Sequence, residues 1–394
     1  LCLQQIMELG DWPAGARQLV QLAFRRGGFG VRSMARTAHA AFVASMAATC
    51  QLMYGEHYAF TKLLDAALAR APDERPPCVR ALSQSLDVLR TRLPQNESVL
   101  IVLPLGDSFT PGQLGAIAAG LQRCLTHALE AGVATKLVDG MSMQQRLIYE
   151  NFTGSDVKAT GIANVWLRVL PTRPEYAVPN IVFVTMAHLV LDIPHPTLRA
   201  LARCDQVRLL ECECGMGFDC ASDVIRHFLS CMQCPGRVHA HNTIARALAW
   251  MLNRCPKLDA FLERTVPGSG HRPDVVLQRK ADGASVSIDV TLTDPLVQSN
   301  VKRVAAAKRR GENTWPRAAL DHADRAKRQQ YSPEVRAELL VFAVTVFGRL
   351  HDSAMDAMDS YVADMVVVSG SDDDGGMVGG PFWQEASSEV KRLQ

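Results

Sequence analysis

The strongest constraint on this chain is a pair of short apolar runs around an Asp-Gly dipeptide, HRPDVVLQRKADGASVSIDVTLTDP, residues 271–295. Val286, Ile288, Val290 and Leu292 alternate with Ser285, Ser287, Asp289, Thr291 and Thr293 in period two, the pattern of a strand with one buried face. Asp282-Gly283 is a strong hairpin signal, because both residues tolerate the positive φ of a type I′ turn. With these two as the central turn residues, Ala281 pairs with Ala284, Val276 faces Asp289 and Asp274 faces Thr291. Asp274 and Asp289 then lie diagonally on the polar face, about 7–8 Å apart at Cα. Two carboxylates at that distance repel unless a cation lies between them, and hard oxygen donors suit Mg²⁺ or Mn²⁺. The alternative is that both are solvated hairpin residues.

A sheet built on this hairpin needs partners, and the chain is long enough to supply them. Its 394 residues, 48% hydrophobic and 21% charged, can bury a substantial core and point to two or three domains. A net charge of +2 and a pI near 8.1 do not demand a nucleic-acid partner, so any basic surface must be local. The apolar run NIVFVTMAHLVLDI is too short to span a bilayer and contains His188. With no signal peptide, the expected setting is intracellular, reducing and without a membrane partner. The chain opens with Leu1 rather than methionine, which suggests a piece of a longer protein.

Eleven cysteines are unevenly placed. Cys204, Cys212, Cys214, Cys220, Cys231 and Cys234 crowd into one stretch that also holds His227, and in a reducing compartment such a cluster favours zinc over disulfides. Cys212, Cys214, His227 and Cys231 form the cleanest Zn²⁺ ligand set: Cys-x-Cys-Gly places two thiolates at a turn, and His227 and Cys231 are i, i+4 on a helix predicted over Ser222 to Cys231. Cys220, Cys234, His239 and His241 remain substitutes, and buried unliganded cysteines are the plain alternative.

Elsewhere the expected fold class is mixed α/β. A helical region over 1–70 is broken by the basic, glycine-punctuated loop FRRGGFGVRS, and a mainly helical domain follows over 71–203. Within it RPPCVRALSQSLDVLRTRLP reads as a helix and SVLIVLPL as a short strand. A further helix begins at the cap Thr110-Pro111 and leaves at Gly132. The cysteine-rich segment 204–241 forms a small knuckle. HNTIARALAWMLNRC is an amphipathic helix that leads into an α/β core over 242–365, where AELLVFAVTVFG supplies a strand beside the hairpin and HDSAMDAMDSYVADM a closing helix. The glycine-rich acidic tail, 366–394, is expected to be flexible.

Between the hairpin and that last strand lies the most basic stretch, two helices separated by residues 311–316. Lys302, Arg303, Lys308, Arg309 and Arg310 crowd the first; Arg325, Lys327 and Arg328 crowd the second, where Lys327 and Tyr331 are i, i+4. A solvated basic helix needs no function. Beside paired carboxylates, however, such cations are what phosphodiester cleavage uses to anchor a backbone and stabilise a pentavalent transition state.

Taken in order, these features resemble the C-terminal part of site-specific non-LTR retrotransposon proteins that carry a restriction-like endonuclease. RRGGFGVRSMARTAHAAFVASM is similar to the segment after their reverse-transcriptase palm, and NVWLRVLPTRPEY to a tryptophan-leucine-proline spacer. CECG with HFLSC resembles their Cys-Cys-His-Cys knuckle, and RVHAHN the arginine-histidine-asparagine that follows it. RPDVV and IDVTLTDP look like the two acidic strands, AKRQQY the lysine-to-tyrosine helix and FAVTVFGRL the closing strand. The resemblance implies a PD-(D/E)xK endonuclease that nicks target DNA in the nucleus, so that the exposed end primes reverse transcription of the element RNA. It implies Asp274 and Asp289 as metal ligands, Lys327 as the catalytic lysine and Tyr331 as its neighbour. The usual lysine two residues after the second acid is here Thr291, which leaves Lys302 and Lys308 as competitors to Lys327. No polymerase aspartate pair is found in the chain. A non-catalytic, zinc-containing nucleic-acid-binding remnant is the alternative.

Overall fold

In the computed structural model the described residues are 14–153 (without 24–25, 27, 32, 57 and 94–119), 180–193, 197, 200, 211–218, 224, 227–228, 230–231, 233, 235–265 and 272–369. Their helices are α1 Ala14–Val20, α2 Met34–Glu56, α3 Tyr58–Ala69, α4 Pro77–Arg92, α5 Leu121–Asp139, α6 Met143–Thr153, α7 Asn180–Leu191 and α8 Pro235–Leu252. Strands β1 Leu258–Leu262, β2 Val275–Arg279 and β3 Ser285–Thr293 come next, then helices α9 Gln298–Arg309, α10 Ala318–Gln329 and α11 Pro333–Ala337. Strand β4 Leu339–Thr345 and helix α12 Asp352–Ser369 close the order. The chain divides into two compact units, 13–141 and one formed chiefly by 142–394, and the division falls inside the segment 71–203.

The first unit is helical. Val79, Leu82, Leu86 and Leu89 recur on one face of α4 and are buried with Ala40, Val43, Leu125 and Leu129 from α2 and α5. The glycine loop after α1 turns tightly: a Cβ at Gly28 would meet the Leu22 carbonyl oxygen at 2.1 Å, so only glycine fits there. The helix expected to leave at Gly132 instead continues through it to Asp139, because Ala128, Leu129, Ala134 and Leu137 keep a buried face across the glycine. Its expected cap at Thr110, and the strand SVLIVLPL, lie outside the described residues.

The second unit holds a four-stranded sheet in the order β1-β2-β3-β4, antiparallel except for the parallel β3–β4 pair. This is the mixed α/β fold expected. A parallel pair needs a crossover, and the basic stretch is that crossover: α9, a 3₁₀ turn at Trp315–Arg317, α10 and α11. On one face of the sheet, Val275, Leu277, Ile288, Val290, Phe342 and Val344 pack against α8 and α12. On the other, Leu339, Val341 and Ala343 pack against Leu320 of α10.

The hairpin register differs from expectation by two residues. Arg279, not Ala281, meets Ala284, with a backbone bond of 2.8 Å, and Gln278 pairs with Ser285. Residues 280–283 therefore form a four-residue loop, in which Gly283 adopts a φ of +70°. The Asp282 carboxylate accepts the Ala284 amide at 3.1 Å, so this aspartate closes a local Asx turn instead of serving as a central I′ residue. A shift of two preserves the face of every side chain. Two further limits move: α8 begins six residues before His241, and the segment 366–369, expected in the tail, belongs to α12. The rest of that tail is outside the described residues. No helix among the described residues is long and apolar enough to cross a membrane.

Candidate functional site

Val275 pairs with Ile288, so the same register carried one residue further sets Asp274 directly opposite Asp289. This is closer than the expected diagonal, and the two carboxyl groups are near enough to share a hydrogen bond. β2 stops at this point while β3 runs on to Thr293, leaving the Val290 backbone without a ladder partner from β2. Side chains take over: Asp274 Oδ2 accepts the Val290 amide at 2.7 Å, and His241 Nε2 donates to the Val290 carbonyl at 3.1 Å. His241 Nε2 also lies 3.1 Å from Asp274 Oδ2. Both partners are acceptors, so Nε2 carries a proton, and Nδ1 faces Asn242 Oδ1 at 3.2 Å.

From the other side α10 brings its C-terminal turn to Asp289. Arg328 holds that turn in place, pairing with Asp324 at 3.0 Å and donating to the Leu339 carbonyl at the start of β4 at 2.9 Å. Because β4 runs beside β3, with Val341 opposite Asp289, this anchor directs the neighbouring Lys327 inward. Lys327 Nζ lies 3.1 Å from Asp289 Oδ2. Tyr331 sits two residues past the end of α10, not on it as expected, yet its hydroxyl donates to the same oxygen. Asp289 is 3% exposed, the most enclosed member of the group.

Electrostatics separate the two carboxylates. Burial raises the Asp289 pKa, the shared bond with Asp274 raises it further, and Tyr331 and Lys327 offset only part, leaving it at about 6. Burial acts on Asp274 in the same sense, but the bonds from His241, Asp289 and the Val290 amide outweigh it and hold it at about 2. His241 rises to about 9, chiefly through its bond to Asp274 against the opposing effect of burial. The result is an ionised carboxylate beside one that is reluctant to ionise, with a cation on each flank. The sequence offers His241 only as a substitute zinc ligand, and the structure joins it to Asp274 instead. The sole signal was its place in RVHAHN.

The second cluster is the one expected. A bridge between Glu211 and Gly217, with Gly215 at φ +82°, folds Cys212-Glu213-Cys214 into a knuckle turn. His227 and Cys231 come from the following segment, whose described residues from Val224 to Ser230 are helical. Cys212 Sγ is 3.6 Å from Cys231 Sγ, Cys214 Sγ is 3.3 Å from His227 Nε2, and all four donor atoms lie within 4.8 Å of one another. The Cys214 amide favours a thiolate at Cys212, but burial and the crowding of the Cys214 and Cys231 sulfurs override it and push that thiol up to about 11. Four such donors can hold a metal ion. Cys204, Cys220 and Cys234 lie outside the described residues.

The basic crossover is less uniform than its sequence. Arg328 is spent on Asp324 and β4, Arg310 pairs with Glu312, Arg303 donates to Asn300 at 2.9 Å, and Lys308 lies 5.3 Å over the Trp315 ring. Lys302, Arg309 and Arg325 are exposed. Of the three competing lysines, Lys327 is the one in contact with Asp289, while Lys308 is engaged at Trp315. The charges of Arg303 and Arg325 add to burial in lowering the pKa of His322, so the two helices present cations to a common surface.

No protein-family model matches this chain, and no curated protein shows significant similarity to it.

Proposed function

We propose that this chain is a metal-dependent DNA endonuclease of the PD-(D/E)xK kind, part of a non-LTR retrotransposon protein that nicks nuclear target DNA to prime copying of the element RNA. One observation carries the reading: Lys327 and Tyr331, from the second half of the crossover that follows the hairpin, both meet the carboxylate oxygen of Asp289, itself paired with Asp274.

Asp274 and Asp289 would hold Mg²⁺ or Mn²⁺, which when bound polarises a phosphodiester and lowers the pKa of attacking water. Asp274 keeps one oxygen fixed between the Val290 amide and His241. Lys327 uses one of its N–H donors on Asp289; the remaining two are available to a non-bridging phosphate oxygen, where they offset charge that grows in the transition state. Tyr331 fixes the orientation of Asp289 without adding charge. The exposed cations Lys302, Arg309 and Arg325 contribute backbone contacts that carry affinity and no sequence information. In the Cys/His cluster we assign Zn²⁺, because three sulfurs and one imidazole at these separations match tetrahedral coordination.

A plasmid-nicking assay with Mg²⁺ or Mn²⁺ tests the reading. The parent chain converts supercoiled to open-circular DNA, and Asp289→Asn, which keeps shape but removes charge, lowers the rate by orders of magnitude while binding is kept or slightly strengthened. Normal cutting by Asp289→Asn would mean that the aspartates are only hairpin residues. A parent that binds DNA but never cuts would leave the non-catalytic reading standing.

A further inference from the structure

A second surface, absent from the site above, lies between α8 and the outer strand β1. It is an open groove of about 660 Å³ whose walls include Arg246, Trp250, Phe261 and Arg264, with no acidic side chain among its described lining residues. Trp250 is 43% exposed, unusual for tryptophan, and Arg254 lies 4.7 Å over its ring. Arg264 lies 4.6 Å over Phe261. The nearby acids are engaged elsewhere, Asp259 with Lys280 and Glu263 with Arg272. Aromatic faces interleaved with arginines form a platform on which unpaired bases stack while guanidinium groups take the phosphates.

An extended peptide is the other occupant an edge strand invites. Here the edge is already used: Asn253 accepts the Ala260 amide at 2.7 Å and donates to its carbonyl at 2.9 Å, and the Leu258 amide bonds to Cys255 at 3.1 Å. Strand addition would have to break these bonds.

We infer that the Trp250–Phe261 groove binds single-stranded DNA. The choice of DNA rests on the nuclease reading, because the groove shares both walls with the carboxylate pair: α8 also carries His241, and Glu263, just before Arg264, donates its amide to the Asp274 carbonyl at 2.9 Å. A strand stacked in the groove is led toward Asp274 and Asp289 with its bases held apart from any partner strand.

Fluorescence anisotropy with a labelled oligothymidylate of about 20 nucleotides, its duplex and the matching oligouridylate tests this on the full chain without added divalent cation. Trp250→Ala should weaken single-strand binding by roughly 5- to 150-fold, the loss of about 1–3 kcal/mol of stacking. Trp250→Phe should retain most of it, and neither should alter duplex binding. Arg246→Ala/Arg264→Ala should lower the salt dependence of single-strand binding, since each phosphate contact contributes about 0.7 to the slope. Parent-like single-strand binding in Trp250→Ala and in the double arginine variant, equal losses on duplex, or a strong preference for the RNA oligomer would each overturn the inference. The nuclease reading fails separately: a parent that never nicks plasmid can still show the Trp250-dependent affinity, and a silent groove leaves nicking untouched.

Discussion

Replacing Lys327 with alanine removes a cation 3.1 Å from a carboxylate oxygen that is almost wholly buried. In the proposed nuclease this should cut turnover by roughly 100- to 1,000-fold, the scale of losing one preorganised charge donor. DNA affinity should barely change, because one phosphate contact among many carries a small share of it. If Lys302→Ala or Lys308→Ala abolished nicking instead, the lysine would be misassigned. The same cluster predicts how stability depends on pH. Asp289, raised from 3.8 to about 6, makes the folded state bind the extra proton, so stability falls as pH rises between those values. Asp274, held at about 2, acts oppositely and below that range: its contribution is complete above 3.8 and is lost as pH falls through 2. His241, raised from 6.5 to about 9, contributes stability that is complete below 6.5 and lost as pH rises through 9. Thermal melts without divalent ions should therefore decline from pH 4 to 6 and again from 6.5 to 9. Asp289→Asn should flatten the first decline and His241→Gln the second; melts that decline identically in both variants would refute the assignment. The aspartates were legible because period two fixes a face, and an error of two in register leaves that face unchanged. His241 was not, because its partner lies 33 positions away and exists only where β2 ends before β3.

At the level of elements, the position of Lys327 depends on how α10 is tied to the sheet. The tie is Arg328, an expected DNA contact that the structure uses as an internal anchor between Asp324 and the Leu339 carbonyl. Arg328→Ala strands a buried carboxylate, so urea denaturation should show a loss of about 1–3 kcal/mol, with nicking impaired more than binding. Arg325→Ala, on the exposed face of the same helix, should instead weaken binding and leave stability near the parent value. Reversed effects would mean that the two arginines had been assigned to the wrong faces. The basic run alone could not distinguish them, since α10 interleaves both roles within one turn; only the parallel β3–β4 pairing reveals which side of the helix faces the strands. The knuckle was more legible, because Cys-x-Cys-Gly and an i, i+4 His-Cys pair constrain their own geometry over short spans. Metal analysis of the purified chain should find about one zinc per molecule, reduced by Cys214→Ser. Stoichiometric zinc in that variant would put the ion elsewhere.

At the scale of the whole molecule, the described apolar residues separate into cores that do not share members. Leu82, Leu89 and Leu125 belong to the helical unit, whereas Leu252, Val275 and Ile288 belong to the sheet unit. The division is hard to read from sequence, because helical patterning continues across it from α5 into α6 and no glycine- or proline-rich linker marks the change. What separates the units is where each helix finds partners for its apolar face, and that is decided by contacts far apart in the chain. Cooperative unfolding follows shared cores, so two disjoint cores should melt as two transitions in calorimetry. Leu82, which is fully buried, then offers a specific probe. Leu82→Ala should destabilise its own unit by about 2–5 kcal/mol and lower one transition by roughly 5–15 °C while the other stays in place. Leu252→Ala, equally buried in the sheet unit, should do the converse, and it alone should reduce nicking near the midpoint of its transition, since every residue of the carboxylate site belongs to that unit. Should both substitutions shift a single transition, the two cores would be thermodynamically one, and the helical unit would contribute directly to the stability of the site.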